Sequence, residues 1–86
     1  MNRSPVIRSL DTVSRDEARA YLDATSGNEL AAAVQLAADR NELDGSADTP
    51  DDAEVHHALF LLRRALGMEA PSFDAMRIEL RRLLAA

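Results

Sequence analysis

The stretch Thr49-Pro50-Asp51-Asp52-Ala53-Glu54-Val55-His56-His57-Ala58-Leu59-Phe60-Leu61-Leu62-Arg63-Arg64-Ala65-Leu66-Gly67 spells out a helix together with its punctuation. Thr49 reads as the N-cap and Pro50 as the first helical residue, where a missing N–H is harmless. Asp51 and Asp52 set negative charge at the positive end of the helix dipole. Arg63 and Arg64 set positive charge at the other end. Gly67 stops the helix, since the residue past a C-cap commonly takes positive φ. Inside these signals Leu59, Phe60, Leu61 and Leu62 are consecutive. At about 100° per residue they point in every direction around the axis, so the helix needs cover on more than one side. It is expected to sit centrally, between the N-terminal part of the chain and the segment that follows it. The side holding Phe60 and Leu61 is the one expected to meet another molecule.

Beyond Gly67, the turn Met68 to Pro71 leads to Ser72, which caps a helix over Phe73 to Leu84. Its apolar side is expected to hold Phe73, Met76, Leu80, Leu83 and Leu84. So short a turn makes the two helices an antiparallel hairpin over residues 50–86. Before Thr49, residues 44–49 read as an acidic loop. Upstream of that loop, Asn28 caps a helix whose stripe is Leu30, Ala33, Val34 and Ala37, fading near Arg40 or Asn41. Ser14-Arg15-Asp16-Glu17 is a capping box that opens a helix through Ala18, Tyr21, Leu22 and Thr25, ended by Gly27. A short helix over Pro5 to Leu10, capped by Ser4, comes first. No alternating period-2 segment interrupts this series, and only one Tyr and two Phe are present. The expected fold is therefore all-α, five short helices in one small bundle.

The 86 residues suffice for one domain with a modest core. There are no cysteines, which excludes disulfides, thiolate nucleophiles and Cys-based zinc sites. The longest apolar runs have five residues, Leu30 to Val34 and Ala58 to Leu62, against the roughly 20 that a membrane span needs. Met1 to Leu10 lacks the apolar core of a signal peptide. A soluble cytoplasmic protein is the expectation.

The net charge is −5, and all ten bases are Arg. Residues 39–54 carry −6 of it, while residues 55–86 carry +2. Nucleic acid is an unfavoured partner for such an acidic chain, because neutralising phosphates supplies most of that affinity.

Residues 5–38 resemble a ubiquitin-associated (UBA-like) three-helix domain. The resemblance lies in Val6-Ile7-Arg8-Ser9-Leu10, Ser14-Arg15-Asp16-Glu17-Ala18, the run Tyr21 to Asn28 with its Gly27-Asn28 turn, and Ala33-Val34-Gln35-Leu36. It implies a compact three-helix module, placed over residues 1–43; the 50–86 hairpin, read from its own turn and stripes, is expected to pack on that module. It also implies a partner surface at the loop Asp11-Thr12-Val13 together with Leu36, where related modules bind ubiquitin. Three features depart from the family pattern. The loop has neither the family's glycine nor its large apolar residues, one extra residue separates Asn28 from Ala33, and Leu36 is followed by Ala37 and Ala38 rather than by a second leucine. The fold implication is stronger than the ubiquitin one.

No catalytic, cofactor-binding or metal-ligating set is expected. His56 and His57 are neighbours on a helix and point about 100° apart, so they cannot jointly chelate one ion. Asp16-Glu17 and Asp51-Asp52 sit at helix starts, where dipole compensation accounts for them. No serine lies in a Gly-x-Ser-x-Gly elbow, and Gly27, Gly45 and Gly67 are too far apart for a phosphate loop. The chain is expected not to be an enzyme. Its expected role is protein–protein interaction, as an adaptor, assembly factor or inhibitor. Self-assembly through the 50–86 hairpin is one alternative; nucleic-acid binding or mimicry and ubiquitin binding are others. The residues singled out for partner contact are Asp11, Thr12, Val13, Leu36, Phe60 and Leu61. Arg77 and Arg81 join them, sharing a helix face at i, i+4 that could meet an acidic partner.

Overall fold

Four helices run through residues 12–45 and 49–85, the part of the chain that the structure, a computed structural model, describes. They are α1 (Arg15–Ala24), α2 (Glu29–Leu43), α3 (Asp52–Ala65) and α4 (Phe73–Ala85). No strand occurs among the described residues. The helix expected over Pro5 to Leu10 lies outside them, as do Asp11 and residues 46–48 of the acidic loop. The radius of gyration, 11.9 Å, is what a compact chain of this length should have, about 12 Å.

Each helix start is fixed by short-range hydrogen bonds. At α1 the expected capping box is present: the Glu17 N–H donates to Ser14 Oγ and the Ser14 N–H donates to Glu17 Oε1. Asn28 caps α2 by accepting from the Ala31 N–H at 2.9 Å. Ser72 Oγ accepts from the Ala75 N–H at the start of α4. At α3 the cap is Asp51, not Thr49, and Pro50 precedes the helix instead of opening it. The reason is a second capping box. Asp51 accepts from the Glu54 N–H at 2.8 Å, and Glu54 accepts from the Asp51 N–H at 2.9 Å. A carboxylate at the cap with Glu three residues on satisfies two orphan donors, which Thr49 with Asp52 in the third position cannot match.

The helix ends also differ in detail from expectation. At α1 the residue just past the cap is Ser26, which takes φ 56° ahead of Gly27 at φ 82°. The Gly27 N–H reaches back to the Leu22 carbonyl at 2.7 Å, and the Ser26 N–H to that of Asp23. Gly67 does close α3 as expected. It sits at φ 76°, and the Met68 N–H donates to the Arg63 carbonyl. Helix α2 runs past Arg40 to Leu43, and the Asp44 N–H closes it on the Arg40 carbonyl.

One core joins all four helices. Tyr21, Leu36, Leu62 and Met76, from α1, α2, α3 and α4 in turn, are its largest fully buried side chains. Each contributes roughly 1.5–3 kcal/mol relative to exposure. Helix α2 packs on all three others, as does α3, and the α2–α3 contact is the most extensive. Because α2 is covered on two sides, its buried set is Ala32, Ala33, Leu36 and Ala37, while Leu30 and Val34 are only partly covered. The alanines let neighbouring backbones come close, which a stripe of larger residues would prevent. The Leu59–Leu62 run is resolved just as unevenly: Leu59, Leu61 and Leu62 are buried, whereas Phe60 is exposed.

Two polar devices tie the helices together. The buried Tyr21 hydroxyl donates to Asp39 Oδ2 at 2.5 Å, and Gln35 Nε2 donates to Asp39 Oδ1. Asp39 is 9% exposed, and a carboxylate so placed needs such donors to offset its desolvation. Arg63, at the end of α3, meets Glu29 at the start of α2 through Nη2 and the Glu69 carbonyl through Nη1. It thereby fixes the α3–α4 turn against α2.

Candidate functional site

The surface feature that stands apart is built on α3 and the turn that follows it. The solvent side of α3 is the stripe Ala53, His57, Phe60 and Arg64, spaced 4, 3 and 4 residues apart, which is one helix face. Phe60 is 43% exposed, and nearby Met68 and Phe73 are 44% and 38% exposed. A groove of about 590 Å³ runs between Phe60 and Met68, lined also by His56, Arg64, Glu69 and Pro71, and Phe73 lies beside it against the His56 ring.

The groove is held open by local packing. His56 Nε2 lies 3.0 Å from the Pro71 carbonyl oxygen, which pins the turn to α3. The His56 ring also stands edge-on to Phe73, centroids 5.5 Å apart. The His57 ring lies nearly parallel to Phe60 at 6.3 Å. On the far side of Phe73, the Arg77 guanidinium covers the ring at 5.6 Å and reaches Asp52 Oδ2 at 3.3 Å. The aromatic edges are therefore held in fixed orientations while their outer faces stay in water. That is the arrangement of an apolar patch with a polar rim.

A second, polar hollow of about 470 Å³ opens at the other end of the same stripe, beside Ala53 and His57. Its charged walls are Arg40, Asp44, Asp51 and Glu54. Among the described residues no group of three or more His, Cys, Asp or Glu side chains is placed to hold a metal ion.

The structure redistributes the residues singled out from the sequence. Leu36 and Leu61 are core residues, 0% and 4% exposed, and neither forms part of an open helix face. For Leu36 the cause is that α2 is enclosed by α1 and α3. For Leu61 it is the 100° step from Phe60, which carries the side chain from the open face into the core. Asp11 lies outside the described residues. Thr12 is exposed, and Val13 is partly covered and packs against the core. Together with Leu61, Arg64 and Ala65 they line a hollow of about 260 Å³. Arg77 and Arg81 do not form a common cationic face, since Arg77 is engaged by Asp52 and Phe73 while Arg81 is exposed.

Phe73 and Leu84, expected on the covered side of α4, are exposed instead. Only Met76 and Leu80 of α4 are buried. Met68 and Arg64 were not legible as part of the face. The available signal was the large apolar residue directly after the helix-stopping Gly67, a position that often folds back on the helix end.

No helix among the described residues is long and apolar enough to cross a membrane. No family model, no curated protein and no solved structure matches the chain.

Proposed function

We propose that the protein is a non-catalytic interaction module that presents the Phe60–Met68–Phe73 face to another protein, as an adaptor, assembly factor or inhibitor. The observation that carries this reading is a groove between the large apolar side chains Phe60 and Met68, with Phe73 beside it against His56, each of the three more than a third exposed. Isolated apolar residues on a surface are ordinary, but a contiguous set framed by His56, Arg64 and Glu69 is the composition of an interface core with its rim. The UBA-like resemblance of residues 5–38 supports the same class of activity. Binding through an arginine face has less support, because Asp52 and Phe73 occupy Arg77.

The test is a nuclease-treated affinity capture from the source cell's lysate, comparing the wild type with Phe60→Glu and Val13→Asp after circular dichroism has shown both variants helical. Capture of a protein in near-stoichiometric amount, lost with Phe60→Glu and kept with Val13→Asp, is the expected result. Loss with Val13→Asp alone would move the interface to the loop that precedes α1. Identical captures from all three proteins would remove both surfaces from the function.

A further inference from the structure

The exposed stripe of α3 is complementary to itself when reversed. Its members Ala53, His57, Phe60 and Arg64 are spaced symmetrically about a point midway between residues 58 and 59. Residues 53 and 64 lie about 8 Å on either side of that point along the axis, at 1.5 Å per residue. Their surroundings are opposite in size and in charge. Ala53 is a small side chain beside a hollow walled by three carboxylates, those of Asp44, Asp51 and Glu54. Arg64 is a long, exposed cation, and no ion pair engages it among the described residues. Each end also carries one charge of the minority sign, Arg40 in the acidic hollow and Glu69 beside the groove, and these two are opposite to each other as well.

We propose that the occupant of this face is a second copy of the chain, with the two α3 helices packed antiparallel about a two-fold axis between His57 and Phe60. The inference rests on the reading of that face as a protein interface and names its partner. In such a pair each Arg64 lies over the Ala53 of the other copy, within reach of Asp44, Asp51 and Glu54. Each Phe60 meets the other copy's His57, the ring it already stacks on within its own chain. An isologous contact makes every interaction twice. The apolar centre supplies the attraction, and the reversed charges select the antiparallel register over the parallel one, where Arg64 would face Arg64.

The experiment is a charge swap read by sedimentation equilibrium between about 1 µM and 1 mM, the range of interfaces below standard size. The wild type is expected to pass from monomer to dimer within it. Arg64→Glu sets a carboxylate against the acidic hollow, and Ala53→Arg sets a cation against Arg64. Because each change counts twice, each variant is expected to weaken the dimer about tenfold even if a single exposed pair is worth little. The double variant Ala53→Arg with Arg64→Glu restores an attractive pair in reversed order and should recover most of the loss. Both positions are solvent-facing on α3, so circular dichroism and thermal midpoints should stay near the wild type.

A dimer that ignores all three variants, or a double variant no better than the worse single one, overturns the antiparallel pairing. A wild type that stays monomeric throughout overturns the second copy as occupant. The interface reading itself fails separately, if Phe60→Glu changes neither self-association nor capture from lysate.

Discussion

The α1–α2 half and the α3–α4 half are made from similar residues and use them differently. In the first half, apolar supply matches the area to be covered. Ala18, Tyr21, Ala32, Ala33, Leu36 and Ala37 are essentially inaccessible, and Leu43, at the very end of α2, is the one large apolar side chain of α1 or α2 left exposed. The helices approach closely on alanines, and the one buried charge is held by a hydroxyl and an amide. The second half carries a surplus. Helix α4 buries only Met76 and Leu80, while Phe60, Met68, Phe73, Ile78 and Leu84 remain exposed. A fold needs the first kind of half to be stable. The second kind leaves apolar surface uncovered, so the two halves should answer differently to substitution.

The largest expected effect breaks the tight half. Leu36→Ala removes a fully buried side chain at the junction of α1, α2 and α3. It should cost about 2–5 kcal/mol, seen as a lower urea midpoint with an unchanged slope. Tyr21→Phe comes next. It deletes a hydroxyl and leaves the buried Asp39 carboxylate with Gln35 alone. A loss of about 1–3 kcal/mol is expected by the same measurement. A neutral result would mean that Asp39 is hydrated in solution and that the polar lock adds nothing. The smallest effect sharpens the comparison from the other side. Phe60→Glu should shift stability by no more than about 0.5–1 kcal/mol, because the side chain is already 43% exposed. If thermal denaturation instead shows a loss as large as that of Leu36→Ala, Phe60 is a core residue and the open face does not exist in solution.

Much of the local structure could be read from the chain. The capping box at Ser14 and Glu17, the caps at Asn28 and Ser72 and the stop at Gly67 are where the sequence puts them. Each of these is settled by residues at most a few positions apart. The misreadings at α3 and α1 are of the same short range. Asp51 outcompetes Thr49 because its reciprocal partner Glu54 lies three residues on. Ser26 takes the left-handed position just ahead of Gly27. The candidate face was legible only in part: Phe60 could be named, but Leu61 was named with it and Met68 was not.

The sequence by itself determined that the described part of the chain is helical, most of the caps that start its helices, and that the Leu59–Leu62 run exceeds what one helix face can bury. Caps and periodicity are local physics and need no knowledge of the rest of the fold. Tertiary structure alone decided which member of that run stays in water. That depends on where α1, α2 and α4 land on α3, and no spacing within α3 encodes it. The same holds for the Tyr21–Asp39 bond across 18 residues and for the burial of Leu36. Both follow from α2 being enclosed by its neighbours, a contact between segments that are distant in the chain.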